Sequence, residues 1–207
     1  MATPAFLQGM TGVLGGLALA AGLCGPAPVA AQSASTPVPE PEVTVINGCR
    51  LWPYAHCPGT DLRHANLVGK DLRGVNFSGA RLSRANLRSA NMAGALLDDA
   101  DLTAIQGYAL NAPGASFRNA RLVGANLEMA RMFRANLSGA DLTAASLEAA
   151  RMNLVWFIGA KLTGANLQET KFVGSNLLNA DLEGAVLRYT IFPDANTQGC
   201  NGCPKDW

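Results

Sequence analysis

"ADLTAIQGYALNAPGASFRNARL", residues 100–122, decides the fold. On either side of it a bulky apolar residue recurs at every fifth position, and inside it two of those positions hold Gly107 and Ala112. Either the architecture divides here, or a loop leaves a regular body, or the body continues unbroken.

The period itself comes first. From Leu62 to Phe192 every fifth position gives 27 sites, of which 25 are Leu, Phe or Met. Ala fills 18 of the 27 sites two residues earlier, as in "ANLVG", "ADLTA" and "ANLEM". On an α-helix five residues advance about 500°, so successive leucines would scatter around the cylinder. On a flat strand an odd period sends alternate leucines to opposite faces. The chain must instead turn by a fixed angle every five residues. Within a unit the small Ala and the large Leu, two apart, face inward together. Gly is frequent two residues after Leu and suits a corner. Asn, Asp, Arg or Lys just before Leu point outward.

This pattern, A(N/D)LXX over residues 60–195, resembles the pentapeptide-repeat family. The resemblance implies an all-β fold: a right-handed quadrilateral parallel β-helix with four pentapeptides per 20-residue coil and about seven coils. At roughly 4.8 Å per coil such a rod is on the order of 32 Å long.

A 20-residue coil makes residues 20 apart stack, which tests the weak stretch. One inward column reads Phe77, Leu97, Phe117, Leu137, Phe157, Leu177. One outward column alternates in charge: Asp61, Arg81, Asp101, Arg121, Asp141, Lys161, Asp181. A third reads Asn66, Asn86, Gln106, Asn126, Ser146, Asn166 and suggests amide hydrogen bonds from coil to coil. All three cross residues 106–115, and excising those ten would scramble them. The coil therefore continues. Ile105 and Leu110 stand where Ala is usual, two residues before Gly107 and Ala112, so large and small have exchanged places. A mild distortion is expected near Pro113-Gly114.

The chain has 207 residues and a net charge of +1, so no strong field favours nucleic acid. Residues 1–31 carry no Asp, Glu, Lys or Arg, and Val29 and Ala31 fit a signal-peptidase site. We read 1–31 as a signal peptide cleaved after Ala31, with an uncleaved anchor as the alternative. No stable membrane span is expected after cleavage, and the address is periplasmic or secreted from a bacterium. Residues 32–42, "QSASTPVPEPE", form a Pro-rich linker. Residues 43–59 and 196–207 are end caps, the first bringing Trp52 to the first coil. Given the rod length implied by the resemblance, disulfides cannot join the two ends, which leaves Cys49–Cys57 and Cys200–Cys203.

No catalytic triad, phosphate loop or metal motif is present, and no cofactor is expected. His56 and His64 sit near the first cap and read as surface residues. Phe133, Trp156, Ile158, Val173 and Leu178 occupy outward positions that elsewhere carry Asn, Ser or Arg. They form a candidate interaction patch. Beside it runs a basic column, Arg131, Arg151, Lys171, with Glu128 and Glu148 placed to pair with its arginines. The function expected is a non-catalytic exported scaffold whose partner is another protein or a second copy. Two alternatives are a thiol-disulfide protein using Cys200 and Cys203, and a rod that mimics DNA. The second is known in the family for gyrase-binding members, and demands an acidic surface that this chain lacks.

Overall fold

A computed structural model describes residues 43–205. The signal-peptide and linker assignments, and the last two residues of the C-terminal cap, lie outside the described residues. Thirty consecutive turns, one every five residues from Tyr54 to Gly199, share a positive φ at their third position. The residue just before each central Leu bridges in parallel to the residue 20 further on, from His56↔Asn76 to Asp181↔Asn201. Four turns thus make one coil, and about seven and a half coils stack into a four-sided prism.

The backbone accounts for its own polar groups unit by unit. In the unit around Leu67, the Leu67 N–H donates to Asn86 O at 2.8 Å and Gly69 N–H to Arg88 O at 2.9 Å, both on the next coil. Lys70 N–H closes the turn on Leu67 O at 3.2 Å. Residues of the Asn66 type donate backward, as Asn86 N–H does to Ala65 O at 2.9 Å. That leaves one N–H in five, on the residue after Leu. An Asn or Asp before Leu supplies the missing acceptor through its side chain: Ser78 N–H reaches Asn76 Oδ1 at 3.0 Å and Thr143 N–H reaches Asp141 Oδ1 at 3.0 Å. This Asx turn explains the N/D of the repeat. The third column behaves in this way too. Asn126 and Asn166 accept the N–H groups of Glu128 and Gln168 instead of forming an amide ladder. Amide bonds between coils do occur in other columns, Asn111 to Asn91 at 3.0 Å and Asn196 to Asn176 at 3.1 Å.

The core is the stack of central residues with the Ala row beside it, almost all fully buried. Each buried Leu or Phe contributes roughly 1.5–3 kcal/mol by leaving water. Where Thr170 and Thr190 replace Ala, their hydroxyls donate to Leu147 O and Leu167 O at 2.7 and 2.6 Å.

Residues 100–122 continue the coil without a break. The bridges Asn86↔Gln106, Asn91↔Asn111 and Leu96↔Ser116 are all present. The turns at Ala109 and Gly114 have φ of 56° and 65°, like their neighbours, so the expected distortion is not found. Ile105, Leu110 and Ala112 are fully buried, and a Cβ added at Gly107 would meet Asn126 O and Leu127 Cδ2 at 3.0 Å. The exchange of volumes fills the layer.

The N-terminal cap is a hairpin, β1 (Val45–Ile46) paired antiparallel with β2 (Cys49–Arg50) through Asn47-Gly48. Both turn residues have positive φ, as a two-residue hairpin turn requires. Trp52 does not cover the first coil. It stands about half exposed with the Arg50 guanidinium 5.7 Å from its ring, while Cys49 and Leu51 are buried against the core. Cys49 and Cys57 are bonded, with Cα atoms 5.6 Å apart, as are Cys200 and Cys203, with Cα atoms 5.7 Å apart.

Candidate functional site: two neighbouring side faces

The side faces are built from the residue before Leu, flanked by the two corner residues that follow each Leu. The bridges Asn136↔Trp156 and Trp156↔Asn176 set Trp156 in the middle of one face. Asn136 and Asn176 cap the N–H groups of Ser138 and Leu178 at 3.0 and 3.1 Å. Trp156 occupies the same kind of seat, gives up that cap, and leaves its indole 56% exposed. Phe133 is 45% exposed at the corner before this face, with the Arg134 guanidinium 5.0 Å from its ring. Val173 lies at the same corner two coils on. Ile158 and Leu178 are stacked at the opposite corner, half-buried. The five residues named from the sequence thus share one face and its two corners. Leu154, exposed and leaning across Gly174, joins them. Its position two after Leu hid it, since that place usually holds Gly or a polar residue. Between Phe133 and Val173 in their column, the buried Oδ1 of Asn153 has no hydrogen-bond partner.

Ile158 borders a cleft with Asp98 and Arg118. Arg118 donates from Nε to Asp98 Oδ2 at 2.9 Å and from its N–H to Oδ1 at 3.0 Å. Burial opposes ionisation of Asp98, but the bonds from Arg118 and Ser116 outweigh it and hold the carboxyl below its ordinary range. Asp61 and Asp71 are lowered too, chiefly by the side chains of Arg63 and Arg73. In the alternating column one direct ion pair forms among the described residues, Arg81 to Asp61 at 2.8 Å. Asp141 and Asp181 are held instead by the hydroxyls of Thr143 and Thr163, at 2.6 and 3.0 Å.

The adjacent face carries the basic column, bridged Arg131↔Arg151↔Lys171, within a shallow groove. Glu128 and Glu148 do not pair with these arginines. They turn to the preceding face, where Ser146 Oγ and Asn166 Nδ2 donate to them at 3.1 and 3.0 Å.

His64 is an exposed corner residue, and His56 Nδ1 lies 3.2 Å from Asn76 Nδ2. Among the described residues no group of three or more His, Cys, Asp or Glu could hold a metal, and no helix is long and apolar enough to cross a membrane. Cys200 and Cys203 are half-buried against the end of the core.

A parallel prism of four five-residue sides defines a class of proteins whose surface, not an interior cleft, is available to other molecules. The family model described as pentapeptide repeats matches eight copies, within residues 55–94, 71–103, 110–139, 150–188 and 165–201, more than half of the chain. The chain belongs to the pentapeptide repeat family, and its fold is the right-handed quadrilateral β-helix. Among solved structures it is similar to QnrB1, a plasmid-mediated fluoroquinolone resistance protein, at 20% identity and a TM-score of 0.50, over 72% of this chain and 82% of that one. It is also similar to HetL, involved in heterocyst differentiation regulation in the cyanobacterium Nostoc, at 24% identity and a TM-score of 0.34, over 70% and 88% of the two chains. A third is a protein of the Arabidopsis thaliana thylakoid lumen, at 32% identity and a TM-score of 0.38, over 55% and 65%. No curated protein sequence matches the chain. Family members are as a rule structural or binding proteins, not catalysts.

Proposed function

We propose that this chain is a non-catalytic, exported repeat protein that binds another protein, or a second copy of itself, through the face bearing Trp156. The observation that carries the proposal is the indole itself. It is 56% exposed at a seat where the coils before and after keep a capping Asn. An exposed Trp brings no gain to the coil and is a common anchor of protein interfaces. Phe133, Leu154 and Val173 at one corner and Ile158 and Leu178 at the other extend it into one apolar surface, with the Asp98–Arg118 pair at its rim.

Export is supported by the uncharged, apolar residues 1–31, with small residues before the expected cleavage point, and by two cysteine pairs in bonding geometry at the ends of the repeat. The DNA-mimic alternative has no support in the surface, where three stacked cations interrupt any acidic stripe.

The test is photo-crosslinking in host cells from an unnatural residue at position 156, with position 146 on the opposite face as control. Protein adducts from 156 and not from 146, recovered from the periplasm or medium, are expected. Adducts of equal yield from both positions, or from neither, would overturn the assignment of the face. Recovery only from the cytosol would overturn export alone.

A further inference from the structure

Where the seat before Leu holds Asn or Asp, its side chain caps the N–H two residues on. Arg131, Arg151 and Lys171 hold three consecutive seats of one column, so the N–H groups of Phe133, Asn153 and Val173 receive no cap. Among the described residues these three N–H groups make no hydrogen bond, and the three cationic side chains make no ion pair or side-chain hydrogen bond. Stacked coils bring the three like charges to roughly 5 Å spacing at the backbone, where they repel. The column therefore works against the stability of the coil twice over. Glutamates close enough in sequence to neutralise it are turned away and engaged elsewhere. One carboxylate, Glu169, lines the groove. Met129 and Tyr189, both more than half exposed, stand on the corner beside the column, and Ile191 ends it.

We propose that this groove binds an extended acidic peptide segment of a partner protein, whose carboxylates take the seats that Asx oxygens occupy in the other columns. Each incoming carboxylate meets a guanidinium or ammonium group and an uncapped backbone N–H, the donor set that an Asp in the chain would otherwise serve. Carboxylates on one side of an extended chain recur at about 6.8 Å, within reach of two neighbouring long side chains. Met129, Tyr189 and Ile191 offer contact to apolar residues flanking the acidic ones, which a peptide supplies and a nucleic acid backbone does not. This site stands on a different face from Trp156 and does not depend on that interaction.

The test is fluorescence anisotropy of the full chain with a labelled octapeptide of alternating Glu and Leu, against its Gln counterpart, duplex DNA and a polyuronate. The acidic peptide binds, its Gln form does not, and binding weakens as ionic strength passes about 0.1 M, where the screening length is about 10 Å. Arg151→Asn removes a charge and restores a cap. It weakens peptide binding about tenfold, as loss of a charge-assisted contact does, and raises Tm. Arg151→Lys keeps most of the binding. Lower Tm in Arg151→Asn with peptide affinity unchanged would overturn the proposal, showing the column to be structural. So would tighter binding of DNA or polyuronate than of the peptide, or no binding of any probe.

Discussion

At the scale of single residues, the weak point of the repeat proves to be an exchange of volume. Ile105 Cδ1 lies 3.6 Å from where a Gly107 Cβ would be, so the larger side chain has crossed into the space of the smaller. The energetics follow in a form that can be measured. Ile105→Ala alone leaves a cavity and costs about 2–5 kcal/mol. Gly107→Leu alone drives a side chain into Leu127 and the Asn126 carbonyl and costs at least about 1–3 kcal/mol. The double variant gives an A-Q-L unit around Gln106, with small and large residues in their usual places, and urea denaturation should find it more stable than either single variant, with a coupling of about 1 kcal/mol or more. Additive losses would mean that the two sites do not share one space. The exchange was legible in the sequence because both halves of it fall on the five-residue grid. The lean of Leu154 and the turn of Glu128 and Glu148 were not. Those are rotamer choices at the surface, separated by a fraction of a kcal/mol.

At the scale of the coil, the five-residue unit is a turn held by four backbone hydrogen bonds and one side-chain cap. The inward positions were legible because burial is all or none along them. The role of the Asn column was not, because an outward Asn can serve the coil above it or its own turn. Geometry decides for the turn, where the N–H has no other acceptor. The N-terminal cap was half legible. Trp52 is the larger side chain, but the Asn47-Gly48 hairpin aims Leu51 and Cys49 inward. Several Asp residues pair with Arg within their own unit or on the neighbouring coil, and this gives a pH dependence with a definite sign. Asp61, Asp71 and Asp98 have folded-state values below the ordinary carboxylate value of about 4. Their contribution is fully present above that value and is lost as pH falls through the lowered ones. Thermal scans should show Tm level from neutral pH to about 5 and falling below about 4. Asp98→Asn should lower Tm at neutral pH and flatten the acid slope. An acid slope unchanged by Asp98→Asn would remove that ion pair from the account.

At the scale of the whole repeat, what matters for function is which residues share a face, and for residues on either side of 100–122 that depends on a coil of 20 residues running unbroken through the stretch. Asp98 borders the corner of Ile158, and Asn91 and Asn111 continue the column of Arg131, only if no residue loops out. The sequence carried this in its columns, since Phe/Leu and Asp/Arg alternation cannot survive a half-coil slip. It did not carry the identity of whatever meets the faces, because a surface residue records its partner only where it departs from what the coil itself needs. Trp156 and the three cations are such departures. The most direct test of the register is a pair of deletions compared by thermal melting and circular dichroism. Removing residues 103–122 takes out one whole coil and leaves every column in phase. Removing residues 106–115 takes out half a coil, moves each later face to the opposite side and sets unlike residues over one another. The 20-residue deletion is expected to melt cooperatively near the wild-type temperature, and the 10-residue deletion well below it or without cooperativity. A 10-residue deletion as stable as wild type, beside a 20-residue deletion that fails to fold, would contradict the unbroken coil and the alignment of its early faces with its late ones.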